Sequence, residues 1–392
     1  MSTIFSASTE CAERAERAER ADRADRADRA DRADRADRAE RAERAERADR
    51  ADRADRAHLT VYADTRWPVG TGIHNVMVAY AERAPSTVRI APLPVVGGVA
   101  HPLSPLALSR ALRRLPARNA VFWNPGFVPA ALPDFPSVVV VHDLTHRHFY
   151  TRAHRFYYDT VLRPLYRRCT AIVCVSEFTR DEFLRWSGMP PERVHVIHNG
   201  TDAAYQRNRD TLGYPFPYVL YPGNRRNYKN LHRLIEAFGA SGLLPLGVRL
   251  MLTGDPDPSL LAHAALHRCA DGLVFAGVLP NDAMPKLYRG ALFVAFVSQY
   301  EGFGLPILEA MASDVPVLTS RVSAMPEVAG AAAMLVDPLS VVDIAVAMRR
   351  LGTEAVWRDA LVARGREQVR RFDWDTSARK FWRLIEQVGA SA

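Results

Sequence analysis

One nine-residue stretch decides the fold and the chemistry of this chain: Glu301-Gly-Phe-Gly-Leu-Pro-Ile-Leu-Glu309. The first carboxylate precedes a Gly-aromatic-Gly turn, and the second lies inside a predicted helix. Gly302 and Gly304 permit backbone conformations in which amide N–H groups turn toward a ligand. The positive N-terminal end of the following helix points at the same place, which suits a phosphate. The stretch therefore predicts a loop that holds a diphosphate with its amides and hydroxyl groups with its two carboxylates, as a sugar nucleotide requires.

Further motifs lie in a fixed order around this stretch. They are Val175 to Thr179, His198 to Asp202, Gly223 to Asn230, Leu252 to Gly254, Ala310 to Ala312, Val315 to Val317, Pro326 to Gly330 and Leu335 to Pro338. Together they resemble the retaining glycosyltransferases of family 4, which have the GT-B fold, over roughly residues 58 to 385. The resemblance implies an α/β fold of two Rossmann-like domains that face each other across a cleft. It also implies transfer of a hexose from a nucleoside diphosphate sugar to a saccharide or lipid-linked saccharide acceptor.

The resemblance extends to a subgroup of this family. Similar sequences with the Gly-Asn-Arg-Arg and His-Asp patterns are often mannosyltransferases of bacterial surface polysaccharides, so GDP-mannose is the first expectation for the donor. No cofactor is expected beyond this co-substrate. Two alternatives remain open. One is a nucleotide-sugar epimerase of the same fold, which the Glu301 and Glu309 pair disfavours, and the other is a non-catalytic scaffold that recruits partners through its N-terminal arm.

The sequence divides into four parts. Residues 1–57 form a low-complexity arm, residues 58–205 an N-terminal domain for the acceptor, and residues 206–375 a C-terminal domain for the nucleotide sugar. The resemblance implies that residues 376–392 form a helix that returns to the N-terminal domain. Short apolar runs alternate with helical patterns in both large parts, which is typical of parallel α/β domains. Strands are predicted at residues 58–62, 138–141, 171–175, 217–221, 249–252, 273–275 and 293–296.

The arm is a tandem repeat. Residues 12–56 are fifteen triplets of Ala-Glu-Arg or Ala-Asp-Arg, in which 15 acidic residues balance 15 arginines. Because a three-residue repeat drifts around the helix axis, its alanines form no continuous face for a core or a coiled coil. Each acidic residue except the last precedes an arginine by four positions, a spacing that stabilises a helix by about 0.2–0.5 kcal/mol per pair. A solvated single helix or a disordered segment is predicted, either without a role or as a spacer or a partner-binding arm.

The donor site is expected on the C-terminal domain. The resemblance implies that Glu309 accepts hydrogen bonds from the ribose hydroxyls and that Glu301 contacts hydroxyls of the donor sugar. It assigns the diphosphate to Lys229, a cation that neutralises the leaving group. The family often has an arginine five residues before this lysine, where this chain has asparagine, so Arg225 or Arg226 is expected to supply the second charge. Other donor contacts are expected from the amides of Gly302, Phe303, Gly304 and Leu305 and, at the nucleobase, from Gly277 and Val278.

The N-terminal domain supplies the facing wall of the expected cleft. His142 ends an apolar strand and is followed by Asp143. By composition a lone histidine is more often structural, but the resemblance implies that His142 contacts the donor sugar near the reacting carbon. Gly70 and Gly72 belong to the loop after the first strand, where the resemblance implies close approach of the backbone to donor phosphate or acceptor. Their Gly-Thr-Gly spacing departs from the Gly-Gly pair that is commoner in the family.

No metal is expected in this site. Asp255-Pro256-Asp257 and Asp373-Trp374-Asp375 both match Asp-x-Asp, the metal and diphosphate motif of the other glycosyltransferase fold. The first lies in a proline-rich loop, and the second lies at a helix start without neighbouring ligands. Two carboxylates are too few for an octahedral magnesium ion unless phosphates complete its coordination. The resemblance implies that basic side chains and helix dipoles take the place of the ion.

Retention of anomeric configuration is implied by the resemblance alone. A double displacement needs a carboxylate beneath the anomeric carbon, and the sequence offers no second acid that can be placed opposite the leaving group. Front-face departure needs only a stabilised diphosphate and a close acceptor. A front-face mechanism is therefore expected, in which the phosphate helps to deprotonate the acceptor.

Composition favours a cytoplasmic protein with two ordinary cores. The chain has 392 residues, of which 48% are hydrophobic and 24% are charged. It contains no apolar run of roughly 18 residues, so no membrane-spanning helix is predicted, and its N-terminus shows no signal-peptide pattern. Its four cysteines have no Cys-x-x-Cys or zinc-ligand spacing, which favours reduced thiols.

The expected acceptor domain is strongly basic. Residues 57–205 contain 16 arginines, no lysine and 10 acidic residues. Arginine and aromatic side chains interleave within the basic segment, residues 147–168: Arg147, Arg152, Arg155, Arg163, Arg167 and Arg168 with Phe149, Tyr150, Phe156, Tyr157, Tyr158 and Tyr166. This density suits a peripheral helix on anionic lipid at the inner face of the plasma membrane. It equally suits a helix with aromatic side chains in the core and arginines in water. Nucleic acid is not an expected partner, because no nucleic-acid module accompanies the segment.

Overall fold

The structure is a computed structural model that describes residues 40–41, 43–44, 58–131 and 135–391. Most of the repeat at residues 12–56, including its predicted helical or disordered state, lies outside the described residues. The four arm residues that are described are helical, and Arg44 Nη2 lies 2.7 Å from Glu40 Oε1. This pair has the spacing of four residues that the sequence predicts. Residues 59–392 form a separate unit.

The first half of this unit, residues 59–196, contains a parallel sheet and is called the N-lobe. Its strands are Leu59–Ala63 (β1), Val88–Pro92 (β2), Ala120–Asn124 (β3), Ser137–Val141 (β4), Ala171–Cys174 (β5) and Val194–Val196 (β6). They lie in the order β2-β1-β3-β4-β5-β6, and all the pairs are parallel. The central strands β3, β4 and β5 are buried along their whole length, which is why β4 is a continuous apolar run rather than an alternating one.

The N-lobe helices follow the strands. They are Gly72–Ala81 (α1), Ser104–Leu112 (α2), Thr145–His148 (α3), Arg152–Tyr157 (α4), Arg163–Tyr166 (α5) and Glu177–Ser187 (α6). A π-helical turn, Tyr158–Leu162, joins α4 to α5. The basic segment therefore forms α3, α4, this turn and α5. Tyr158 and Tyr166 of the segment are buried, whereas Phe149 and Phe156 are 41% and 68% exposed, so its aromatic side chains divide between the core and solvent.

The second half, residues 218–369, repeats this plan and is called the C-lobe. Its strands are Tyr218–Tyr221 (β7), Arg249–Leu252 (β8), Leu273–Phe275 (β9), Phe293–Phe296 (β10), Val317–Ser320 (β11) and Met334–Val336 (β12). They are parallel, in the order β12-β11-β10-β7-β8-β9. This is the strand order of the Rossmann fold, whose ligand crevice opens where the order reverses, here between β7 and β10.

The remaining helices flank the C-lobe sheet or precede and follow it. They are Ala203–Arg207 (α7), Leu231–Ala240 (α8), Pro258–Leu266 (α9), Met284–Arg289 (α10), Leu305–Ala312 (α11), Met325–Ala329 (α12), Val341–Thr353 (α13), Ala355–Val369 (α14) and Trp374–Ala390 (α15). No helix in the described part of the chain combines the length and hydropathy that crossing a bilayer requires. Cys169, Cys174 and Cys269 are buried free thiols.

The last helix, α15, packs against the N-lobe. Phe381 stacks on Tyr80 with the ring centroids 4.3 Å apart. Trp382 Nε1 donates a hydrogen bond to the carbonyl oxygen of Tyr80 at 3.0 Å. The ring of Trp123, from β3, lies 5.1 Å from Phe381 and 5.8 Å from Trp382. The core of the N-lobe is therefore completed by the C-terminal end of the chain.

Candidate active site

Residues 301–309 follow β10, at the edge of the C-lobe sheet where the strand order reverses. Gly304 has a φ of 109° and caps α11, whose second residue is Pro306. Proline is tolerated there because the first turn of a helix does not use its N–H groups internally. The amides of residues 302–305 have no hydrogen-bond acceptor among the residues that the structure describes. The loop therefore presents free donors at the N-terminus of an eight-residue helix.

Lys229 and Glu301 form an ion pair beside this loop. Lys229 Nζ lies 2.7 Å from Glu301 Oε1, and each side chain is only 12% exposed. The ammonium group also lies 5.1 Å from the ring centre of Phe296 and 5.4 Å from that of Tyr228, within the range of cation–π attraction. Since loss of either partner would leave a mostly buried charge unpaired, each group holds the other in place.

Asn230 fixes the loop that carries Lys229. It is buried and has a φ of 65°, a conformation that asparagine adopts more readily than most residues. Its Nδ2 donates to the carbonyl oxygens of Val297 at 3.0 Å and Pro338 at 2.6 Å. These bonds tie the loop after β7 to the loops after β10 and β12, so the ammonium group and the carboxylate of the pair come from two fixed segments.

Glu309 lies in α11 beside the buried Tyr288. Tyr288 Oη donates a hydrogen bond to Glu309 Oε2 at 2.5 Å, and the ring of Tyr205 lies 5.2 Å from that of Tyr288. Burial raises the pKa of Glu309 to about 7; the hydrogen bond from Tyr288 opposes the shift, and the charge of Asp202 adds to it. Near neutral pH, the carboxyl group of Glu309 is therefore present in both its neutral and its charged form.

Arg225 lines a cleft on the C-lobe. Its Nη2 donates to the carbonyl oxygen of Thr253 at 2.9 Å, and its guanidinium group lies 5.0 Å from the ring centre of Phe275. The cleft has a volume of about 360 Å³, and Gly277 and Val278 line it together with Arg225. The structure thus brings the two residues predicted at the nucleobase together with one of the two candidate arginines.

Arg226 reaches toward the N-lobe instead. Its guanidinium group lies 6.0 Å from the ring centre of Tyr150. Burial lowers the pKa of His146, the charge of Asp143 opposes this shift, and the nearby charges of His154 and Arg226 add to it. Of the two arginines, Arg226 is the one that faces the wall formed by the basic segment.

His142 follows β4 at the C-terminal edge of the N-lobe sheet. Its Nε2 lies 2.7 Å from the carbonyl oxygen of Pro125. Burial lowers the pKa of His142, while this hydrogen bond and the charge of Asp143 oppose the shift. The ring is therefore neutral, and because Nε2–H donates to the carbonyl group, Nδ1 is left as an acceptor.

The two lobes meet at Gly302. A Cβ atom at this position would lie 1.8 Å from the carbonyl oxygen of His142, so the junction accepts only glycine. The carbonyl oxygen of Gly302 accepts hydrogen bonds from Ser176 Oγ at 2.6 Å and Thr179 Oγ1 at 3.0 Å. Ser176 also caps α6. The loop after β10 is thus fastened to the start of an N-lobe helix.

Glu327 forms a second junction between the lobes. Its carboxylate accepts hydrogen bonds from the amides of Glu177 at 2.8 Å and Phe178 at 3.1 Å, at the N-terminus of α6, where negative charge is favourable. His198 Nε2 lies 2.7 Å from the same carboxylate. Although burial opposes the shift, the bonds from His198 and the two amides hold the pKa of Glu327 below its ordinary value. The sequence motif around Glu327 gave no sign of this contact, because its partners lie about 150 positions away.

The predicted loop after β1, which contains Gly70 and Gly72, is exposed to solvent. Gly70 has a φ of 83°, which favours glycine, and Thr71 caps α1 by accepting a hydrogen bond from His74 N at 3.3 Å. A Cβ atom added at Gly70 or Gly72 would meet no described atom within 4 Å. The positive φ therefore accounts for a glycine at position 70. Close packing against the described part of the chain does not account for a glycine at position 70 or at position 72.

Both Asp-x-Asp motifs start helices. Asp257 Oδ1 accepts from Ser259 N at 2.9 Å and caps α9, and Asp373 Oδ2 accepts from Thr376 N at 2.8 Å and caps α15. Among the described residues, no group of three or more His, Cys, Asp or Glu side chains is arranged to hold a metal ion. Helix capping is therefore a sufficient reason for an aspartate in each motif.

The geometry defines a class of protein: two Rossmann-like lobes whose loops meet at a common cleft. Sucrose-phosphate synthase from Thermosynechococcus elongatus has the same fold, with a TM-score of 0.68 and 17% identity, covering 86% of this chain and all of that one. HepE from Anabaena, solved in complex with UDP and glucose, gives a TM-score of 0.66 and 16% identity over 84% of this chain and all of its own. The predicted GT-B fold is thereby confirmed.

Sequence comparisons identify the family. A model described as Glycosyltransferase Family 4 matches residues 74–205, and one described as Glycosyl transferases group 1 matches residues 216–354. O-antigen chain mannosyltransferase B of Escherichia coli is 31% identical over 220 residues, covering 52% of this chain and 57% of that protein. Serotype-specific mannosyltransferase WbdA of Escherichia coli is 26% identical over 277 residues, covering 64% of this chain and 33% of its own length. The chain belongs to the family 4 glycosyltransferases, and it spans between a third and about three fifths of the length of these relatives.

Proposed function

We propose that this chain transfers a hexose, with retention of configuration, from a nucleoside diphosphate sugar to a saccharide or lipid-linked saccharide. The observation that carries the proposal is the Lys229–Glu301 pair beside the free amides of residues 302–305. A cation, a helix N-terminus and a carboxylate within one loop match the diphosphate and the hydroxyl groups of a sugar nucleotide. Membership of the glycosyltransferase family supports the same reaction class.

In the proposed mechanism, Lys229 stabilises the departing diphosphate. An ammonium group has three N–H donors, so Lys229 can keep its bond to Glu301 and donate to a phosphate oxygen as well. As the glycosidic bond breaks, negative charge grows on the leaving group, where the ammonium group and the N-terminus of α11 oppose it. Glu301 Oε2 then accepts from a hydroxyl group of the donor sugar. The acceptor hydroxyl forms its bond to the anomeric carbon on the face of the sugar from which the diphosphate departs, and the leaving phosphate takes the proton of that hydroxyl.

Four further residues complete the proposed donor site. His142 contacts the donor sugar through Nδ1, which its neutral, Nε2-protonated ring leaves free to accept. Glu309 accepts from the ribose, and Arg225 borders the nucleobase in the cleft that it shares with Gly277 and Val278. Arg226, which faces the N-lobe, supplies the second positive charge near the diphosphate.

We propose GDP-mannose as the donor and a bacterial surface polysaccharide as the product, supported by the two mannosyltransferases among the similar proteins. The reaction needs no divalent cation, because Lys229 and the helix N-terminus meet the charge of the diphosphate. We place the protein in the cytoplasm, peripherally on the inner face of the plasma membrane. Exposed Phe156 follows the two exposed arginines of α4, Arg152 and Arg155, a combination that suits contact with anionic lipid.

A binding and turnover experiment tests this function. We expect GDP-mannose to raise the unfolding temperature more than UDP-glucose does, and we expect radiolabelled donor to be consumed in the presence of a metal chelator. Glu301→Ala and Lys229→Ala should each lower donor turnover by about 100-fold or more, the scale for losing one group that stabilises developing charge. Lys380→Ala, at an exposed position on α15, is the matched control. Either result contradicts the proposal: no sugar nucleotide stabilises the protein, or donor turnover is unchanged in both site variants.

A further inference from the structure

The N-lobe contains a second cavity, which no part of the proposed donor site uses. It has a volume of about 420 Å³ and is lined by Arg147, Arg163, Glu182, Arg185 and Trp186. Its walls come from the basic segment and from α6. Since three guanidinium groups face a single carboxylate, the lining carries an excess of positive charge.

Two of the three arginines have no anionic partner. Within the described residues Arg163 and Arg185 take part in no ion pair, and the buried Nε of Arg163 has no acceptor. Both guanidinium groups line the cavity without a carboxylate partner among these residues, so they are available to an anion that enters it from solvent.

The other polar groups of the cavity are already engaged. Arg147 Nε lies 3.3 Å from Asp159 Oδ1, and its guanidinium group lies 5.0 Å from the ring centre of Trp186. Trp186 Nε1 donates to Asp159 at 2.7 Å, and Glu182 accepts from Tyr300 Oη at 2.5 Å. These bonds hold the walls in place and keep both nearby carboxylates away from Arg163 and Arg185.

The cavity adjoins the candidate active site. Tyr300, whose hydroxyl group bonds to Glu182 of the cavity wall, immediately precedes Glu301 in the chain. The same hydroxyl accepts a hydrogen bond from Leu144 N at 3.0 Å, so it joins the loop after β4 to the loop after β10. Tyr300 therefore connects the cavity wall, on the lobe expected to hold the acceptor, to the segment that carries Glu301.

We infer that this cavity is an anion site that takes a phosphate or diphosphate ester group, and that the group belongs to the acceptor. The assignment to the acceptor rests on the proposed function. Guanidinium groups bind phosphate through paired, charge-assisted hydrogen bonds, which would satisfy Arg163 and Arg185 together. The phosphate can come from the diphosphate of a lipid-linked saccharide, from the headgroup of a bulk lipid or from the free ion.

The first experiment measures binding without reference to turnover. Inorganic pyrophosphate is titrated by calorimetry into the full chain carrying Lys229→Ala, which removes the phosphate cation of the proposed donor site. We expect Arg163→Gln and Arg185→Gln to raise the dissociation constant at least tenfold, roughly the loss of one charge-assisted bond. Arg152→Gln, which replaces an exposed arginine of the same segment, is the control and should leave the affinity for pyrophosphate unchanged. Arg163→Lys, which keeps the charge, should recover part of the affinity.

The second experiment identifies the source of the phosphate. Binding is compared on phosphatidylcholine vesicles, on the same vesicles with a polyprenyl diphosphate, and on vesicles with phosphatidylglycerol. Arginine-dependent capture by polyprenyl diphosphate alone supports an acceptor site. Arginine-dependent capture by phosphatidylglycerol, or pyrophosphate binding without vesicle capture, overturns the assignment to the acceptor and leaves a headgroup site or a free-ion site.

Two outcomes overturn the anion site itself. One is unchanged pyrophosphate affinity in folded Arg163→Gln and Arg185→Gln proteins, with folding checked by thermal unfolding. The other is an equal loss in Arg152→Gln, which would mean that general surface charge binds the anion. Failure of the proposed function looks different: sugar nucleotides would not be turned over, yet pyrophosphate binding would still depend on Arg163 and Arg185.

Discussion

Glu309 is the site residue whose charge depends most directly on pH. Burial raises its pKa to about 7, against the opposing hydrogen bond from Tyr288. A charged carboxylate accepts hydrogen bonds from hydroxyl groups more strongly than a neutral acid does. We therefore expect the affinity for a sugar nucleotide to rise as the pH rises from about 6 to about 8. The diphosphate of a sugar nucleotide has no group that titrates in this range, so the change would belong to the protein.

Calorimetric titrations of the sugar nucleotide at several pH values check this expectation, with Glu309→Gln as the variant that should remove the pH dependence. A flat wild-type profile, or a slope that survives in Glu309→Gln, would contradict it.

The effect of pH on stability has the opposite sign to its effect on binding. Because the folded pKa of about 7 exceeds the ordinary 4.5, the folded state binds more protons between these values, and the contribution of Glu309 to the free energy of unfolding falls as the pH rises through this window.

The residues proposed to carry the chemistry are visible in the sequence, but their supporting contacts are not. Lys229, Glu301 and Glu309 stand out because their types and order carry a resemblance. Tyr288, which bonds to Glu309, lies 21 positions away on another helix, and the amides that bind Glu327 lie about 150 positions away. Such partners become neighbours only through the fold, so no local pattern marks them.

Among the secondary-structure elements, the seven predicted strands all occur within about a residue of their expected bounds. Buried parallel strands form continuous apolar runs, which are visible in a sequence. The unpredicted strands β2, β6 and β12 lie at the edges of their sheets, and their partly exposed residues give a weak apolar signal. β3 and β11 are buried, but each ends in polar residues, Asn124 in β3 and Thr319 and Ser320 in β11, which shorten the apolar run that marks a buried strand.

The contact between the loop after β10 and the N-lobe gives a prediction about Gly302. A methyl group in Gly302→Ala would lie 1.8 Å from the carbonyl oxygen of His142, so the two lobes would have to separate. Misplacement of a reacting group by about 1 Å can cost on the order of 100-fold in rate. We expect kcat/KM for sugar transfer to fall on this scale, and we expect the radius of gyration in solution scattering to increase.

Gly98→Ala is the matched control for this substitution, because a Cβ atom at Gly98 would meet no described atom within 4 Å. Thermal unfolding of both variants separates a displaced lobe from a general loss of folding. Full turnover in Gly302→Ala would show that catalysis does not need the two lobes to meet at this residue.

Considered as a whole, the molecule has a unit beginning at Leu59 that contains every predicted site residue. We therefore expect a protein that lacks residues 1–57 to keep its unfolding temperature and its rate of sugar transfer, since removal of an arm outside that unit takes away no group of the site. Steady-state rates of the two proteins, measured side by side with saturating donor, check this. A shortened protein that folds but no longer acts in polysaccharide synthesis, although it keeps normal turnover, would favour the scaffold alternative.

The position of α15 has a consequence for how the molecule is made. Trp382 bonds to Tyr80 across 302 positions of the chain, and together with Phe381 it covers the aromatic face of the first lobe. On the ribosome, that face stays uncovered until α15, which follows the C-lobe in the chain, has been synthesised. The C-lobe strands and the helices between them come from one continuous segment, so they are complete earlier. The N-lobe precedes the C-lobe in the chain, but its core is therefore completed later.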